Sequence, residues 1–177
     1  MQRDAQNKPI ERIERLGAKI RARLGVITAA PEVNVVIFAL LLNFPWEMLQ
    51  VPWYVGMAQA PHVQAVRACL QATFGDALIM LIAHGVVALV TRNRHWIASA
   101  RGWSLAGFTG VGVALTAVIE GLATRGYWVS SWAYLPAMPL VPGTGIGLLP
   151  LLQWLVLPPL TVWFVRRQLA QGHDAVD

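Results

Sequence analysis

Four apolar runs, at about residues 33–53, 71–90, 103–123 and 146–165, constrain this chain more than any other feature. Each is long enough to cross a bilayer as a helix, because a rise of about 1.5 Å per residue takes roughly 20 residues through a hydrocarbon core. In lipid every backbone polar group must be satisfied within the protein, which leaves helices and closed barrels, and continuous runs of this length are helical. The expected fold is therefore all-α: a polytopic membrane bundle of four transmembrane helices. Composition points the same way. Hydrophobic residues make up 56% of the 177 and charged residues only 13%, where a soluble domain carries about 25% charge. One transmembrane domain over residues 33–165 is expected, with a basic segment over 1–32 before it and a short tail over 166–177 after it.

The first segment reads as an amphipathic surface helix. Asn7 can cap it and Pro9 suits its first turn. Ile10, Ile13, Ile20, Leu24 and Ile27 then recur at helical spacing, interleaved with Arg12, Arg15, Lys19, Arg21 and Arg23. Such a helix lies on a bilayer rich in anionic headgroups. It has no apolar core followed by a small-residue cleavage site, so no cleavable signal peptide is expected. The net charge of +5 does not imply nucleic acid, because the basic residues flank apolar spans. The segment before the first span holds seven Lys and Arg, the loop after the second span three and the tail two, twelve of the fourteen in the chain. With four spans, both termini then lie on the cytoplasmic side.

The spans carry polar side chains that a plain anchor lacks. Asn43, Glu47 and Gln50 follow one another at i, i+4 and i+7, and so share a helical stripe. A carboxyl group in hydrocarbon costs roughly 2.5–3.5 kcal/mol on insertion scales, and is tolerated where it faces a bundle interior with partners. Asp76 and His84 lie in the second span, Glu120 near the end of the third and Gln153 in the fourth. Placed by depth, Glu47, Asp76, Glu120 and Gln153 fall in one layer, the outer half of the bilayer, with His84 deeper. Three carboxyl groups together cannot all be charged in a low dielectric, so one is expected to keep its proton beside a charged partner. Such a set holds a cation, relays protons, or acts as acid and base. Glu47, Asp76 and Glu120 are thus the candidate catalytic residues.

Asn43, Gln50 and Gln153 can orient the carboxyls or a ligand's polar group, or simply join helices. Trp46, Trp53, Tyr54, Trp128, Trp132 and Trp154, with His84, complete the candidate substrate-binding set, their rings offering π-faces to a cation. Trp96, Trp103 and Trp163 read instead as an interfacial aromatic belt. Pro45 is expected to kink the first span and Pro52 to end it. Residues 55–68 read as a polar connection. The aromatic, Pro-rich and Gly-rich stretch over 124–147 reads as a re-entrant or interface-hugging loop that caps the bundle. The Gly-rich third span favours close helix approach and homo-oligomer contacts. One Cys, Cys69, excludes a disulfide within the chain, and no spacing suits a metal, so neither metal nor cofactor is expected.

The string Asn43-Phe44-Pro45-Trp46-Glu47-Met48-Leu49-Gln50-Val51-Pro52-Trp53-Tyr54, with Gly75-Asp76 and the Pro150-to-Trp154 stretch, resembles a group of small bacterial four-span membrane proteins that share N-F-x-W-E-x-x-Q-x-P-x-Y. That likeness implies a bacterial inner membrane and names no chemistry. In architecture alone the chain is similar to the EXPERA-type sterol isomerases and the membrane-bound terpene cyclases, which implies acid–base chemistry on a lipidic or isoprenoid substrate. Two further readings fit the same residues: a proton- or cation-coupled carrier, and an accessory subunit of a larger membrane complex.

Overall fold

The computed structural model describes residues 12, 15–17, 19, 25, 29–127 and 131–174. Residues 12, 15–17, 19 and 25 are helical, and the rest of the expected surface helix lies outside the described residues. Four long helices follow: α1 (Pro31–Gln50), α2 (His62–Thr91), α3 (Gly102–Ala123) and α4 (Leu148–Asp174). All four are long and apolar enough to cross a membrane, and no strand occurs among the described residues beyond isolated bridges. The fold is an all-α four-helix membrane bundle. Each helix packs on the next and α4 closes back on α1, forming a ring.

Large apolar side chains face outward and several polar ones are buried, as suits a bilayer and not water. Leu41, Leu49, Phe74, Leu78, Leu89 and Val118 are exposed, whereas Asn43, Glu47, Gln50, His84, Glu120 and Gln153 are buried. Apolar packing fills the centre: Val35 and Ala39 of α1, Met80 and Ala83 of α2, Phe108 of α3, Leu157 and Val165 of α4. Trp154 lies against Gly112, whose lack of a side chain lets α3 and α4 meet around the indole.

Several expected boundaries move. The second helix begins at His62 rather than near residue 71, so much of the expected polar connection is helix. Pro61 precedes its first turn, where a missing N–H does no harm. Gln64, Arg67 and Gln71 are polar yet exposed, while Ala65, Ala68 and Cys69 turn toward the bundle. Thirty residues make about 45 Å of helix, more than a hydrocarbon core of roughly 30 Å, so α2 reaches beyond it. Asp76 consequently sits halfway along α2. The last helix also continues past residue 165, carrying Arg166 and Arg167 on its surface, with Arg167 5.0 Å from the ring centre of Trp163. α1 runs on through Pro45 and closes in a 3₁₀ turn at Val51–Trp53.

Trp96 is not a belt residue. It is 3% exposed, stacks on His84 with ring centres 5.6 Å apart, and donates its indole N–H to the His84 carbonyl at 3.3 Å. Trp103 and Trp163 do face outward. At this end of the bundle, which also holds the start of α1, Arg94 grips Glu32 at 2.9 and 3.1 Å and so ties the start of α1 to the loop after α2.

Candidate functional site

The opposite end of the bundle is built by the loops. The stretch before α4 lies across it in extended and turn conformation over residues 131–147. Leu135 donates its backbone N–H to Trp53 and Val55 donates to Ala133, each at 2.9 Å, pairing this strap with the end of α1. The strap then turns through Gly143 and Gly145, both at positive φ, and Val141 and Leu148 bond back across the turn. Extended backbone points alternate side chains to the same side, so Trp132 and Tyr134 both face inward. Gly147 makes room for Tyr134: a Cβ there would meet the phenol carbon at 3.0 Å and Met138 at 2.6 Å.

Beneath the strap lies a cavity of about 600 Å³. Glu47 enters from α1, Asp76 from α2 and Glu120 from α3, so all three candidate acids line it. Gln50, Tyr54, Trp132 and Gln153 line it too. Local spacing explains the α1 contribution: Glu47 and Gln50 are one turn apart, and the Gln50 amide donates to Glu47 Oε1 at 2.6 Å. Across the bundle, Gln153 Nε2 donates to Asp76 Oδ2 at 2.7 Å and to Asn43 Oδ1 at 2.6 Å. Asn43 in turn donates to the Ala39 carbonyl at 2.7 Å. Glu47 and Asp76 face the same cavity from neighbouring helices. Glu120 is served separately: its Oε2 accepts from the Trp132 indole at 3.1 Å and from the Tyr134 hydroxyl.

The remaining candidates fall elsewhere. Asn43 is fully buried behind Gln153 and touches the acids only through it. Trp154 is core, and Trp46 and Trp53 do not line the cavity. His84 is two turns past Asp76, about 12 Å along α2, beyond the Met80 core, with its Nε2 3.8 Å from Glu32. Trp128 lies outside the described residues. Arg125 donates to the Gly121 and Thr144 carbonyls. Sequence reasoning missed Tyr134, although its place two residues after Trp132 in an extended strap was the signal for it. It also missed Cys69 and Thr116 in the cavity wall, because small residues on a helix face look alike in a sequence.

Burial, and then the charge of Glu120, push the phenols of Tyr54 and Tyr134 well above the ordinary tyrosine value. A raised value means that the folded chain binds these protons more tightly than the unfolded one. The associated stability is therefore complete below about pH 10 and is lost as the pH rises past it. In detergent, the folded protein and its Tyr54→Phe/Tyr134→Phe variant should show the same phenolate absorbance through about pH 10. Two extra phenols titrating there in the folded parent would contradict this environment.

No family model, curated protein or solved structure matches this chain. The chemistry of the site is therefore read from its geometry.

Proposed function

We propose that this chain is a multi-pass protein of a bacterial inner membrane, with both termini cytoplasmic, that takes a lipidic substrate into its cavity and exchanges protons with it. The observation that carries this reading is the convergence of Glu47, Asp76 and Glu120 from three helices on one largely apolar cavity that also holds Gln50 and Gln153. Its volume falls in the range of small-molecule sites, roughly 300–1,000 Å³, and its mixture of apolar wall and few polar groups is typical of them. Exposed Gly75, Leu78 and Ile82 of α2 stand at its rim, so it opens on the flank that lipid covers. The Glu47–Asp76 pair can give a proton to a double bond while Glu120 takes one from a neighbouring carbon. That moves the bond with no redox partner. Tyr134 and Trp132 hold Glu120 in place for this role.

A carrier needs a polar path to the other end. Below the cavity the interior is Ala39, Met80, Ala83 and Leu157, which supports a closed pocket over a conduit. The test is mass spectrometry of lipids that co-purify with the protein. An apolar compound held by the parent and lost from Gly75→Trp, which fills the mouth, is expected. The same lipid profile from both proteins would count against the pocket.

The orientation has its own test. In a Cys69→Ser background, Gln64→Cys should react with an impermeant thiol reagent added from the periplasm, and Arg94→Cys should not. The reverse pattern would place the cavity in the inner leaflet.

A further inference from the structure

We infer that the polar end of the cavity's ligand is a protonated amine on a single apolar chain, an inference that rests on the lipid-binding reading above. The first ground is charge. Every charged side chain that lines the cavity among the described residues is acidic: Glu47, Asp76 and Glu120. No Lys, Arg or His of the lining stands beside these three acids. A carboxylate, phosphate or diphosphate head would meet these acids without compensation. The second ground is hydrogen bonding. The amides of Gln50 and Gln153, the indole of Trp132 and the Tyr134 hydroxyl already donate to the acids or to Asn43.

One amide oxygen of the lining stays unpaired. Gln50 is 4% exposed, lines the cavity, and its Oε1 has no hydrogen-bond partner. A buried acceptor left open costs about 1–3 kcal/mol unless something donates to it. An ammonium group brings up to three N–H donors and the compensating charge together. A hydroxyl brings one donor and no charge. Thr116 Oγ1, also buried and in the lining, has no partner either, and its hydroxyl can accept as well as donate. The rings of Tyr54 and Trp132 meet edge to face at 6.5 Å beside the acids, and aromatic faces attract a cation. From Asp76 the wall continues past Leu78 to Ile82, about 9 Å along α2, with Leu115 and Ile119 opposite on α3. That is a slot for one hydrocarbon chain.

The experiment compares dodecylamine, 1-dodecanol and dodecanoate on the full-length protein in a nonionic maltoside at pH 7, with retention read by native mass spectrometry. One dodecylamine per chain is expected, held at least tenfold more tightly than dodecanol, with no dodecanoate retained. Glu47→Gln and Glu120→Gln should each weaken dodecylamine at least tenfold and leave dodecanol within about twofold. Gly75→Trp, or Ile82→Trp should the first fail to fold, should abolish retention. Dodecanol held as tightly as the amine, or dodecanoate held more tightly, with both lost on blocking the mouth, would overturn the amine head and leave the lipid pocket standing. If no probe is retained, or if retention ignores both blocking variants, the pocket reading falls and the amine with it.

Discussion

Replacing Gly112 with leucine should prevent the bundle from closing. Even the first added carbon would sit 2.0 Å from Cε3 and 2.2 Å from Cζ3 of Trp154, well inside contact distance. Trp154 is 1% exposed, so its ring has no solvent into which to swing. Either α3 leaves α4, which opens the far wall of the core, or the indole leaves its rotamer. Overpacking a filled core costs typically 1–3 kcal/mol and occasionally more. An overlap with the body of a ring belongs at the upper end for Gly112→Ala and beyond it for Gly112→Leu. Thermal unfolding in detergent should show a clear drop for the alanine variant and no cooperative transition for the leucine variant. Shrinking the partner is the control. Trp154→Ala alone leaves a large hole and costs about 3–5 kcal/mol, yet Gly112→Leu combined with it should be more stable than Gly112→Leu alone. If Gly112→Ala melts with the parent, the helices do not meet as described.

The second large effect is functional. Glu47→Gln keeps size and hydrogen bonding but removes an exchangeable proton, and Asp76→Asn does the same across the cavity. An amide can still bridge helices, at about 0.6–2 kcal/mol per bond, so both variants should fold and melt close to the parent. Each should nevertheless lose at least a hundredfold in proton exchange with the bound substrate. A single retained carboxyl has no partner with which to hold and pass the proton. The double variant should lose little more than either single one, because the two act as a unit. Hydrogen–deuterium exchange into the co-purified lipid, followed by mass spectrometry, is the measurement. Unchanged exchange in both single variants would reduce Glu47 and Asp76 to interhelical glue.

Much of the fold was legible in the sequence because bilayer thickness imposes a length. The four spans, and the placing of Glu47 and Gln50 on one inward stripe, follow from helical geometry alone. What was not legible depended on neighbours. The start of α2 at His62 is hidden because a helix that leaves the hydrocarbon turns polar on its wet face, and Gln64 and Arg67 then look like loop. Trp96 looks like an interfacial tryptophan until the stacking of His84 buries it. Trp154 looks like a pocket aromatic until Gly112, distant in sequence, gives it a niche. Tyr134 shares a face with Trp132 by its two-residue spacing, but that face meets Glu120 only because the strap crosses back over the end of α1, a long-range pairing.

The strap has one more consequence. Tyr54, Met57 and Trp132 roof the cavity at its loop end, while Gly75, Leu78 and Ile82 leave its side open. A ligand that arrives through that side is drawn from the bilayer and not from water. Occupancy then tracks the mole fraction of ligand among lipids. Adding empty vesicles at constant total ligand should dilute the ligand and empty the site, whereas changing the volume of buffer should hardly matter. Affinity for such a protein is a surface-density quantity, and two preparations with equal aqueous concentrations but different lipid loads will report different constants for the same pocket.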